Sequence, residues 1–195
     1  MRGRGGGLVG ALLFVAGLYL AESASLATSL LVAVAVHEAG HLVAFCLVGA
    51  PLPRLRVALQ GLRLDPRAPL SYRAEAICAV SGPMSNLLAA LALSSLSGGA
   101  ELATVHLLTA AVNLLPITSL DGGRTLKATL ARFSSLSRAE AVEEWVSLAT
   151  LTVMLTLCLG LLWCGGVGGQ AYFFFLFLLM EQFSHRRADS LSAEP

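Results

Sequence analysis

Charge is what this sequence has least of. Only 13% of its 195 residues are Asp, Glu, Lys or Arg, roughly half the share usual in soluble domains. Those charges nearly cancel, leaving +1 overall, so no global field draws nucleic acid to the chain. Cysteine chemistry is equally thin. Cys46, Cys78, Cys158 and Cys164 form no CxxC pair and each sits in an apolar stretch. They read as small buried hydrophobes rather than a disulfide framework or thiolate metal ligands. No repeat, low-complexity linker or appended soluble domain is visible.

What fills the chain instead is apolar: 56% of residues, with a mean hydropathy of +0.75. A soluble domain of this length has too little interior to hide that surface, and lipid is its natural solvent. Six apolar stretches can be read, at about Gly5–Ala21, Leu26–Val48, Ala74–Leu96, Leu102–Leu120, Val142–Trp163 and Val167–Phe183. Most approach the roughly 20 residues that a spanning helix needs. The predicted class is an all-α, integral multi-pass membrane protein with six transmembrane helices.

The thirteen basic residues support that count. Arg2 and Arg4 precede the first stretch. Arg54, Arg56, Arg63, Arg67 and Arg73 lie between the second and third. Arg124, Lys127, Arg132 and Arg138 lie between the fourth and fifth, and Arg186 and Arg187 follow the sixth. With six crossings all four places fall on one side, and removing any crossing scrambles them. The positive-inside rule makes that side cytoplasmic, with both termini there. The first stretch, with its two arginines and the small residues of Ala21–Ala27, also fits a cleaved signal peptide. That alternative leaves the orientation of the second stretch unchanged. Between the second and third stretches, Leu55–Leu64 (LRVALQGLRL) alternates partly around Gly61. It predicts a short amphipathic β-hairpin at the cytoplasmic membrane face.

The second stretch contains His37-Glu38-Ala39-Gly40-His41. Residues four apart share a helix face, so both imidazoles can reach one metal ion. Glu38 is offset around the helix, placed to move a proton rather than to bind the metal. A chance HExxH is common in soluble chains. Inside a membrane helix, each ionisable residue costs about 2.5–3.5 kcal/mol on insertion scales. Such residues are expected there only with a function. His41 lies seven residues before Val48, or about 10 Å below the cytoplasmic face.

Zinc in a catalytic site usually takes three protein ligands and keeps one position open. His106 falls near the outer end of the fourth stretch and reads as an interfacial residue, while His185 is in the tail. Asp121 is the better third ligand. It closes Asn113-Leu-Leu-Pro116-Ile-Thr-Ser-Leu-Asp121-Gly122-Gly123-Arg124, where Pro116 breaks the helix and the glycine pair permits a tight turn. The alternative is a helix-end Asp beside Arg124.

Three motifs, in order, resemble the site-2 protease family of intramembrane zinc metalloproteases. They are HEAGH at 37–41, Ser81-Gly82-Pro83-Met84-Ser85-Asn86 (the family's GPxxN element), and Asn113–Arg124 (its NxxPxxxLDGG element). The resemblance implies a three-helix catalytic core over 26–124, with accessory helices at 5–21, 142–163 and 167–183, all within one membrane domain spanning 1–195. It implies one zinc on His37, His41 and Asp121, with Glu38 as general base. Asn86 and Asn113 fit either substrate or oxyanion contacts or inter-helix hydrogen bonds; Gly82 and Pro83 read as shaping the helix. The layout resembles the sporulation-factor-processing branch, without a PDZ or CBS domain. The implied substrate is a transmembrane or membrane-associated protein, and the implied location a bacterial cell membrane. A silent scaffold of the same fold has no need of Glu38. A transporter would spread ionisable groups along a path or show repeats; here they cluster at one depth.

Overall fold

The computed structural model describes residues 24–58, 61–65 and 67–164, together with Leu176, Leu179 and Gln182. The predicted stretches at 5–21 and 167–183 fall outside the described residues, apart from those last three, which are helical. The chain divides into two compact units, one running to Leu114 and the other from Leu115.

The first unit opens with α1 (Ala24–Leu47), which beyond the hydroxyls of Ser25, Thr28 and Ser29 in its first two turns is apolar apart from the HEAGH residues. Its end is set by Gly49, at φ +69°, a conformation glycine adopts without a Cβ penalty. The Ala50 amide then donates to the Phe45 carbonyl at 3.0 Å, the six-to-one bond that closes many helices. Pro51 and Pro53 follow and prevent continuation. Strands β1 (Arg54–Ala58) and β2 (Gly61–Asp65) pair antiparallel, from Arg54 opposite Asp65 to Ala58 opposite Gly61. Helix α2 (Tyr72–Ser94) starts at Ser71, whose hydroxyl accepts from the Ala74 amide at 3.2 Å, a capping bond that satisfies one orphan donor. It runs on through Pro83. Helix α3 (Ala100–Asn113) completes the unit, and α1, α2 and α3 pack on one another.

Small residues line much of the inside of this unit, around a few larger side chains such as Phe45, and many leucines lie outside. Ala33, Ala44, Ala79, Ala90, Ala103 and Ala110 are buried, whereas Leu47, Leu88 and Leu91 are at least 63% exposed. That is the packing expected where lipid, not water, surrounds the helices: backbones close through small side chains, and leucines face the acyl chains. Gly40 shows the closeness. A Cβ there would lie 2.7 Å from the Ser81 carbonyl oxygen of α2. The Ser85 hydroxyl donates to the Val36 carbonyl at 3.0 Å, tying α2 to α1. Ser25 donates to Glu101 at 2.9 Å, tying α1 to α3.

In the second unit an irregular stretch over 115–120 leads into α4 (Asp121–Ala131), and α5 (Leu136–Trp163) packs against it. The predicted fourth stretch, Leu102–Leu120, is therefore not one helix. Helix α3 stops at Asn113, before Pro116, whose missing N–H and ring forbid continuation. The tight turn expected at Gly122–Gly123 is also corrected. Both glycines lie in the first turn of α4, and the chain reversal comes earlier, where the Leu120 amide donates to Ile117 at 2.8 Å. Helix α5 begins before the predicted Val142, because Ser135 caps a polar first turn that hydropathy alone does not register.

Among the described residues three helices, α1, α2 and α5, are long and apolar enough to cross a membrane. Helix α3, with 14 residues, is about 21 Å long.

Candidate metal centre

His37 and His41 follow from α1 itself: one helical turn separates them, and both are 6% exposed. Their Nε2 atoms converge to 3.1 Å, with the rings nearly perpendicular at 86°. The other nitrogen of His41 settles its tautomer. Nδ1 lies 2.7 Å from the Cys78 carbonyl oxygen, which can only accept, so Nδ1 carries the hydrogen and Nε2 keeps its lone pair. A ring nitrogen fixed in this way by an outer partner is how metal-binding histidines are usually oriented. Cys78 lies in the turn of α2 that precedes Pro83, and its carbonyl also accepts from Ser81 at 2.7 Å.

Gly82 faces the two rings. A Cβ at that position would overlap His41 Nε2 and lie 2.6 Å from His41 Cε1 and 2.9 Å from His37 Cε1. The glycine therefore does more than shape its helix: its bare α-carbon provides the space in which the imidazoles sit. The signal was present in the sequence, as the Gly-Pro of the GPxxN element, but its object lies on another helix. Glu38, half-buried, belongs to the same turn of α1 as the histidines.

Asn86 is fully buried one turn beyond Gly82, and His106 of α3 is 1% exposed. His106 Nδ1 donates to Asn86 Oδ1 at 2.9 Å. This corrects the reading of His106 as an interfacial residue: it is an interior group that bridges α2 and α3. For Asn86 the inter-helix hydrogen bond is observed, while its Nδ2 is buried with no hydrogen-bond partner among the described residues. Asn113 donates from Nδ2 to the Thr109 carbonyl of its own helix at 3.0 Å.

In the second unit Asp121 is the first residue of α4 and is 8% exposed. A carboxylate is favoured there by the unpaired amides of the helix start. Arg124, one turn on, lies 3.4 Å from its Oδ1. Gly123 permits the turn to press close, since a Cβ would lie 2.6 Å from the Ile117 carbonyl carbon.

No family model matches the sequence, and no curated protein does either. The fold, however, is that of a site-2 protease. The chain superposes on the site-2 protease from Methanocaldococcus jannaschii with a TM-score of 0.64. The match covers 91% of this chain and 87% of that one, at 19% sequence identity.

Proposed function

We propose that the protein is a zinc metalloendopeptidase of the site-2 protease kind, cutting membrane-embedded or membrane-adjacent proteins. The observation that carries this reading is the histidine pair. Two buried Nε2 atoms converge inside a membrane helix, one with its lone pair freed by the Cys78 carbonyl, in space left by Gly82. A polar pair with no metal to hold would be costly there. Neutral imidazoles plus a carboxylate are a fitting donor set for zinc, and Asp121, buried like the histidines, supplies the carboxylate. When bound, zinc polarises a carbonyl and acidifies water.

The chain's own groups do the rest. The His41–Cys78 bond holds the ligand ring in place. Glu38 takes a proton from the attacking water and returns it to the departing amine. Asn86, held by His106, offers an N–H to the substrate backbone or to the oxygen on which charge develops. The substrate enters as an extended segment after local unwinding, near the cytoplasmic third of a six-crossing protein.

The test is zinc content of the purified, detergent-solubilised chain beside Asp121→Ala and Glu38→Gln. Wild type should hold about one zinc, and Asp121→Ala should lose most of it. Glu38→Gln should keep the metal but cut proteolysis by about 10²–10⁴-fold. Folded wild type that holds no zinc would overturn the reading and leave a catalytically silent scaffold in its place.

A further inference from the structure

The turn that precedes Asp121 is held from behind by two side chains outside all three motifs. Ile117 and Leu120 are buried, and the Leu120 amide closes the turn on the Ile117 carbonyl. That leaves the amide of Thr118, at the corner, needing a partner. Ser147 of α5, with 0% exposure, provides it: the Thr118 N–H donates to Ser147 Oγ at 3.0 Å. The Ser147 hydroxyl in turn donates to Gln182 Oε1 at 2.8 Å. Gln182 is 5% exposed, and its Nε2 donates to the Glu144 carbonyl at 3.3 Å. Every proton in this chain therefore has an assigned direction. The Gln182 amide is oriented by the α5 backbone, it fixes the Ser147 hydrogen, and the fixed lone pair of Ser147 receives the turn.

We infer that Ser147 and Gln182 are positioning residues for the metal. They hold the Ile117–Leu120 turn so that the next residue, Asp121, presents its carboxylate without having to be ordered when the ion arrives. The inference rests on the zinc reading above and adds residues to it. Neither residue is assigned a contact with substrate or metal; each acts through the turn. Outer partners of this kind typically change metal affinity by 10–100-fold when removed, because a ligand that must be ordered on binding gives up part of its binding energy.

The experiment is a zinc competition titration against chelators of graded affinity, on the full chain in detergent. Ser147→Ala should weaken zinc by about 10-fold. Gln182→Met, which keeps the length but removes the acceptor, should shift affinity the same way by less. Thr150→Ala is the control, because its hydroxyl donates back to the Val146 carbonyl of its own helix at 2.8 Å; it should leave affinity unchanged. Wild-type affinity in both test variants, or an equal loss in Thr150→Ala, would overturn the inference. If Ser147→Ala does not fold, Gln182→Met decides alone. Should folded wild type itself bind no zinc, the metalloprotease reading fails and takes this inference with it. Zinc in wild type with indifferent variants sinks only the inference.

Discussion

Gly82 illustrates how a residue with no side chain can govern two that have them. Its substitution by alanine places a methyl group 2.6 Å from His41 Cε1, so the rings must turn or α2 must retreat. Gly82→Ala should weaken zinc binding by at least about 10-fold while leaving the chain inserted and folded, as checked by metal analysis of the purified variant. Full zinc occupancy at wild-type affinity would sink its role as the cradle. His106 and Asn86 make a second residue-scale pair. Leaving either partner alone strands a buried polar group, at a cost of about 1–3 kcal/mol. His106→Leu and Asn86→Leu should each lower thermal stability in detergent, and the double variant should lose less than the two losses added. Additive losses would mean the 2.9 Å bond contributes nothing. The sequence made the His37–His41 pair legible because one helical turn is a local relation. The Asn86–His106 bond was not, because those residues lie on different helices. A histidine near a helix end reads as interfacial until its partner is seen.

Among the elements, those legible in the sequence were the ones specified by long apolar runs or by proline. Helices α1 and α2 fall where hydropathy puts them, and the stop of α3 follows from Pro116. Helix α4 is not legible in the sequence because its eleven residues (DGGRTLKATLA) mix polar and apolar types and begin with Asp121 and two glycines, the composition of a turn. The glycines are needed there for close approach rather than for flexibility. Among the described residues strands β1 and β2 form a two-stranded sheet, each paired on one side to the other. An extended substrate segment adding to a free edge is a hypothesis that follows from that arrangement. Proline placed at Leu55 or Val57 in turn, where it removes one backbone donor, should slow cleavage several-fold with zinc content intact. Equal cleavage by both variants would remove the sheet from substrate binding.

Taken whole, the molecule was legible as a membrane protein from composition alone, since scarcity of charge is a global property. The six-crossing arrangement proposed for it rests on the positions of thirteen basic residues and makes its own prediction. Cys164, exposed at the end of α5, should face outward, whereas Cys46, also exposed, should lie near the cytoplasmic side. An impermeant maleimide applied to intact cells should label Cys164 and spare Cys46, and labelling should vanish in Cys164→Ser. The reverse pattern would invert the protein in the membrane.

The shortness of α3 bears on the lipid as much as on the protein. At about 21 Å it falls roughly 9 Å short of a typical 30 Å hydrocarbon slab. On the six-crossing reading, acyl chains beside a crossing of that length would have to shorten or tilt to avoid exposing methylenes to water, and such hydrophobic mismatch would draw the two leaflet surfaces together locally. A substrate helix of the proposed protease, arriving along that flank, would then meet a pinched bilayer, where its ends are already wet and fewer turns are shielded from solvent. Turnover in reconstituted vesicles should then depend on lipid chain length, falling as thicker bilayers make the pinch more costly to sustain.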